Sequence, residues 1–321
     1  MTASISAGPM KPRLLFVERK SSALRRPSLP CLSRSYTVNL TSGCAFDCVY
    51  CYTQSFSNRP RRGEVVFYAN TVQLLRRELA RKRSGGFWVF FSTSCDVFQP
   101  YREVIDAAYR CFEMLINHPA RILISTKAEI PDRFFALFAS APHLFHVQVG
   151  ITTLDVKTQL IFEPRAAKPA RRLDNLERLL SLGVACDARL DPLIPGLTDT
   201  EENLAALFKE LAAVGVRRAE ASFMFLRRGN MRRVMRLMGK DWVARHYSYC
   251  VKDYCYRGEI LLPRPGYRRR VYDLATEIAA DFGIRLGLCA CKNPDITADR
   301  CHPARSADGR SAGLGQLSLE L

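Results

Sequence analysis

Short apolar runs alternate with amphipathic helical patterns over most of this chain, and no other feature narrows its fold as far. The strand-like runs cover residues 36–40, 87–92, 121–125, 145–151, 185–190 and 218–223. Helical patterns lie between them, for example over 71–79 and 201–214. The second opens on Thr198-Asp199-Thr200-Glu201-Glu202, whose side-chain oxygens can accept the unpaired N–H groups of a first helical turn. Six βα units in a row require parallel strands with right-handed crossovers. A doubly wound sheet and a barrel both satisfy the pattern. In barrels chemistry sits on loops at the C-terminal ends of the strands, so each strand end is a candidate site.

The first run leads into Cys44-Ala45-Phe46-Asp47-Cys48-Val49-Tyr50-Cys51-Tyr52. Three thiolates at this C-x3-C-x2-C spacing can hold three irons of a [4Fe–4S] cube and leave the fourth open to a ligand. A zinc site wants four closed ligands, and no fourth Cys or His follows nearby. A disulfide would leave one thiol over. Twelve cysteines in a chain with no sign of secretion point to metal or redox chemistry. Of these, Cys31, Cys111 and Cys186 read as packing or surface thiols.

At 321 residues the chain can bury one large core with decorations. Residues 1–35 read as an N-terminal extension, 36–230 as the core, 231–305 as a C-terminal region and 306–321 as a disordered tail. The start lacks a basic segment followed by a long apolar run, so no membrane partner and a cytoplasmic location are expected. The net charge is +17, from 38 arginines and 10 lysines against 31 acidic residues. Guanidinium forks suit phosphate backbones. A coding bias towards arginine, spread over the whole surface, accounts for the charge equally well.

The cysteine spacing, with an aromatic residue before the third cysteine, resembles the signature of radical S-adenosylmethionine (SAM) enzymes. The resemblance implies a partial (β/α)6 TIM-type barrel, here with a C-terminal cysteine-containing extension. It implies a [4Fe–4S] cluster on Cys44, Cys48 and Cys51, whose open iron chelates SAM. One electron then cleaves SAM to methionine and a 5′-deoxyadenosyl radical, so a one-electron reductant such as flavodoxin or ferredoxin is an expected partner. Carried to the strand ends, Ser92 and Ser94 would meet the SAM amino group and Lys127 its carboxylate. Thr152 would contact ribose, and the segment with Arg189 and Pro195 would pack near adenine. Each has a plainer reading: a helix cap for the serines, a solvated side chain for the lysine, turns for the others.

Tyr50 and Tyr52 bracket Cys51, and Cys95 follows Cys51 by 44 positions (95 − 51), at the end of the second strand. Over about residues 36–226 these features resemble spore photoproduct lyase and the wider DNA repair photolyase-like group. The resemblance implies Cys95 as hydrogen donor to a product radical, with Tyr52 and Tyr50 as a radical relay. It also implies a nucleic-acid substrate, for which Arg227, Arg228, Arg232, Arg233, Arg269 and Arg270 are candidates, interleaved with Tyr267 and Tyr272. A solvated helix face is the competing reading of those arginines. The lyase pattern does not include Cys289, Cys291 and Cys301, which with Cys250 or Cys255 could hold a second Fe–S cluster or zinc. Two alternatives follow: a radical SAM enzyme acting on a peptide or small metabolite with an auxiliary cluster, or a non-catalytic nucleic-acid-binding protein with structural metal.

Overall fold

Alternation along the central strands decides the architecture. In residues 145–150, Phe145, Val147 and Val149 join the main apolar core, while His146, Gln148 and Gly150 take the other face. The next strand repeats this with Cys186, Ala188 and Leu190 against Asp187, Arg189 and Asp191. One face of these two strands is therefore hydrocarbon under helices, and the other turns polar side chains such as Gln148, Arg189 and Asp191 towards a cavity that Phe90 and Leu123 of neighbouring strands also line.

The structure, a computed structural model, describes residues 11–27, 32, 35–82, 86–252, 259–293 and 295–297. Its strands are β1 (Arg13–Val17), β2 (Ser35–Val38), β3 (Thr41–Ser42), β4 (Glu64–Tyr68), β5 (Trp88–Phe91), β6 (Arg121–Thr126), β7 (Phe145–Gly150), β8 (Ala185–Leu193), β9 (Arg218–Phe223), β10 (Tyr249–Lys252), β11 (Glu259–Leu262) and β12 (Arg285–Leu288). Its helices are α1 (Thr71–Ala80), α2 (Arg102–Ile116), α3 (Arg133–Ser140), α4 (Val156–Phe162), α5 (Pro169–Ser181), α6 (Glu201–Ala213), α7 (Arg228–Met238), α8 (Lys240–His246) and α9 (Pro265–Asp281).

Among the described residues, seven strands form one sheet in the order β2-β5-β6-β7-β8-β9-β12, every neighbouring pair parallel. The spatial order follows the chain without reversal. This is the winding of a barrel and not of a doubly wound sheet, whose order reverses at a switch point. β2 and β12 are the two edges, so the barrel is partial. Six strands match the apolar runs of the sequence. The seventh, β12, pairs with β9 from Arg285↔Arg218 to Leu288↔Ala221, so the C-terminal region contributes to the same sheet.

Helices cover the outer face. Phe112 of α2 is a hub, with ring centroids 4.9 Å from Phe91, 5.7 Å from Phe134 and 5.9 Å from Phe145 in edge-on contacts. α6 begins where the sequence signals it, with the Thr200 side chain accepting the Asn203 N–H. The described part of the N-terminal extension is docked: β1 pairs with β4, and Glu78 accepts the N–H groups of Ala23 and Leu24 at 2.8 Å. A hairpin of β10 and β11 lies after α8. Cys111 and Cys186 are buried packing residues. Cys31, Cys255, Cys301 and the tail 306–321 lie outside the described residues.

Candidate active site

The cysteine loop follows β2 and the short β3 and is fastened at many points. Gly43 turns it at φ 82°, where an added Cβ would stand 2.7 Å from the Pro60 ring. Buried Gln99 accepts the Ala45 N–H at 2.9 Å and donates to the Thr41 hydroxyl at 2.7 Å. Asp47, itself at φ 49°, pairs with Arg233 at 2.7 Å. The Phe162 carbonyl accepts the Val49 N–H, and Asn230 donates to the Tyr50 carbonyl, each at 2.8 Å. A short 3-10 turn over Tyr52–Ser55 closes the loop.

Cys44, Cys48 and Cys51 line one cavity at the C-terminal ends of the strands, together with Ser92, Ser94, Cys95, Lys127 and Arg189. Tyr50, Tyr52, Arg227, Cys289 and Cys291 line it as well. The donor set fits an iron–sulfur cube: three thiols on one braced loop face a shared space. Burial pushes the Cys44 and Cys48 thiols well above the ordinary range, and a bound metal reverses that by stabilising the thiolates. Among the described residues no three His, Cys, Asp or Glu side chains converge on a single metal-ion position. A cube that takes one thiolate per iron needs no such convergence.

Both bracketing tyrosines are tied down. Tyr50 donates to Glu163, and Glu163 pairs with Arg172, which also donates to the Gly150 carbonyl at 2.8 Å. Burial alone would raise Glu163; the Arg172 and Lys127 charges outweigh it and hold the carboxyl below its usual value. Burial and the neighbouring Glu163 push the Tyr50 phenol far up, so it stays protonated. Tyr52 donates to the Thr93 carbonyl. Cys95 is buried beside Asn39, with Sγ 3.7 Å from its Oδ1, and burial raises its thiol.

The cavity floor is ionic. Lys292 reaches both Asp191 oxygens at 2.6 Å, Arg189 reaches one at 2.9 Å, and Lys127 donates to the Asp191 carbonyl at 3.0 Å. Burial would raise Asp191, but the Lys292 and Arg189 charges hold it far below the carboxylate range. Buried Asp96 fixes the start of the Lys127 segment, accepting its N–H at 2.8 Å and the Thr126 hydroxyl at 3.0 Å.

The remaining sequence candidates are placed elsewhere. Thr152 and Pro195 are buried but do not line the cavity. Arg233, expected at the substrate, is engaged with Asp47 instead, because α7 turns that side chain towards the cysteine loop. Arg228, Arg232, Arg269 and Arg270 are exposed and outside the lining, and Cys250 is exposed on β10. Arg227 is buried, its guanidinium 5.4 Å from the Tyr52 ring and 5.0 Å from the Phe225 ring. Sequence reasoning passed over Lys292 and Asp96. Lys292 lies just past β12, which is not among the six apolar runs counted from the sequence, so the strand-end rule does not reach it.

A partial parallel barrel with three cysteines on the loop after its first sheet strand defines a class of cluster-dependent enzymes. The family model for the radical SAM superfamily matches residues 38–211, and the chain belongs to that superfamily. It is an enzyme of the radical SAM class, and the family implies a [4Fe–4S] cluster and SAM. An uncharacterized protein of Mycobacterium tuberculosis strain H37Rv, Rv2578c, is 27% identical over 278 residues, covering 82% of this chain and 79% of its own length. An uncharacterized protein of Acidianus two-tailed virus, ORF301, is 26% identical over 221 residues, 64% of this chain and 73% of its own. Among solved structures, spore photoproduct lyase complexed with dinucleoside spore photoproduct superposes at a TM-score of 0.65 and 16% identity, covering 85% of this chain and 81% of that one. The fold is shared with that lyase. Among the described residues, no helix is long and apolar enough to cross a membrane.

Proposed function

We propose that this enzyme cleaves SAM reductively at a [4Fe–4S] cluster on Cys44, Cys48 and Cys51 and abstracts hydrogen from a nucleic-acid component. The observation that carries the reading is one cavity lined by the three loop cysteines, Cys95, Lys127 and Arg227. When bound, the cluster supplies the electron that breaks SAM into methionine and a 5′-deoxyadenosyl radical.

The chain's own residues position and finish the reaction. Lys127 offers its charge to the SAM carboxylate. Ser94 offers a hydroxyl to the SAM amino group, and Ser92, whose Oγ accepts the Val97 N–H at 3.0 Å, keeps its O–H for donation. Burial keeps the Cys95 thiol protonated at neutral pH, so an S–H bond is present to return hydrogen to a carbon radical. Tyr52 and Tyr50 line the same cavity and would relay the radical towards SAM when it is bound. Arg227 with Tyr52 and Phe225 gives a cationic aromatic surface for a base, and the charge of +17 suits phosphate. The fold shared with a lyase solved with a dinucleoside photoproduct supports that substrate class.

Anaerobic reconstitution with iron and sulfide counting tests the reading. The Cys44/Cys48/Cys51 triple alanine variant should lose about four irons, the content of one [4Fe–4S] cluster. It should also lose 5′-deoxyadenosine formation with dithionite. Zinc without deoxyadenosine from the wild type would overturn the reading. Affinity for an oligonucleotide should fall steeply with salt, and a flat salt response would remove the nucleic-acid part. The placement of Cys289 and Cys291 in the same cavity favours a second reading, an auxiliary metal site at the β12 end. It predicts about eight irons per chain, or about four irons and one zinc.

A further inference from the structure

The cysteine loop is gripped by two helices whose outer faces the reading above leaves unused. α4 reaches it through the Phe162 carbonyl on the Val49 N–H. α7 reaches it through Arg233 on Asp47, Asn230 on the Tyr50 carbonyl, and the Gly229 N–H, which donates to the Ser55 hydroxyl at 3.0 Å. Only glycine fits at that contact, since a Cβ on Gly229 would stand 2.6 Å from the Gln54 backbone. Phe162 and Val234 bind the two helices into one small apolar cluster, against which Val49 and Tyr50 of the loop pack.

The outer faces of the two helices are basic on α7 and aliphatic on α4. α7 carries four arginines and no acidic residue. Arg228, Arg232 and Arg236 recur every fourth residue, so they form one row, and all three are exposed. At about 100° per residue the row borders Gly229 and Arg233, the residues that grip the loop. Arg59 is exposed beyond the 3-10 turn and donates to the Gln54 carbonyl at 3.1 Å. α4 adds Val156, Leu160 and Ile161, which are 39%, 46% and 50% exposed. None of these residues lines the cavity.

We infer that the α4–α7 face is the docking surface for an acidic, low-potential one-electron carrier protein. The inference rests on the cluster assignment above, which creates the need for an electron beside this loop. The arginine row attracts and orients an acidic partner, and the aliphatic patch gives a contact that sheds water. The carrier loses one electron and the cluster gains it; no proton moves and no bond changes. The cavity side of the loop stays available to SAM and substrate. Nucleic acid would also be drawn to arginines, but a phosphate backbone makes no use of Val156, Leu160 and Ile161.

An acidic flavodoxin is the probe. In R232E/R236E its dissociation constant should rise about tenfold or more, and the carrier concentration for half-maximal deoxyadenosine formation should rise in parallel. Dithionite-driven SAM cleavage should not change. Leu160→Asp, at a position that folding leaves exposed, should weaken binding in the same direction, and added salt should weaken the wild-type complex more than that of R232E/R236E. Unchanged flavodoxin affinity in both variants overturns the inference. So does loss of oligonucleotide binding in R232E/R236E with flavodoxin binding retained, which would assign the row to nucleic acid. Failure of dithionite-driven cleavage in the wild type would strike the cluster reading instead, and flavodoxin affinity would still report on the surface.

Discussion

The two faces of strands β7 to β9 come from the same residues in sequence and have opposite chemistry. Towards the helices stand Phe145, Val147, Val149, Ala188, Leu190, Ala219 and Ala221, all in one apolar core. Towards the cavity stand Gln148, Arg189 and Asp191, with Ser222 accepting from Lys292 at 3.3 Å. A closed TIM barrel fills its interior with branched aliphatic residues and gains stability from both faces. This barrel stays open at β2 and β12, and β7 and β8 turn polar side chains into its cavity. Over these strands the outer residues join the main apolar core, and the inner charged residues carry the chemistry.

Substitutions can break that division. The largest stability loss should come from the outer face: Phe112→Ala should cost about 3–5 kcal/mol in a urea unfolding experiment, with iron loading of the folded fraction retained. A cost similar to that of an inner-face substitution would refute the comparison. On the inner face, Asp191→Asn leaves Lys292 and Arg189 facing each other without their shared carboxylate. It should cost about 2 kcal/mol, less than a fully buried pair because all three side chains are partly exposed. SAM affinity, read by equilibrium dialysis, should change with it.

Cys95→Ala should barely move the unfolding midpoint, by about 1 kcal/mol or less. It should leave deoxyadenosine formation intact and alter the identity of the substrate product. An unchanged product would exclude the hydrogen-donor role. The smallest effect is a slope. Burial pushes the Glu220 carboxyl up to about 7 from 4.5, with Arg189 only partly opposing it. Between those values the folded chain binds more protons than the unfolded one, so this group makes stability fall as pH rises through the window. Glu220→Gln should flatten that fall, and an unchanged pH profile would place Glu220 in water.

The six barrel strands were legible because alternation and apolar runs are local, and so was the cysteine loop, because its spacing is covalent. The arginines were less legible. Arg227, Arg228, Arg232 and Arg233 sit within seven residues, yet one is buried against aromatic rings, two are exposed and one holds Asp47. Charge and spacing were the same kind of signal for all four. What separated them was the direction each leaves α7 or its N-terminal cap, and that depends on how the helix seats on the loop.

By itself, then, the sequence determined the βα order, the place of the three thiols at a strand end, and Cys95 at the next one. These follow from residue period and chain direction alone. The tertiary structure decided that the C-terminal run joins the barrel as β12 and brings Lys292 to Asp191, 101 residues away in the chain. It also decided that Asn230 braces the cysteine loop from 180 residues away. Contacts at such separations depend on which faces pack, and no local pattern encodes that.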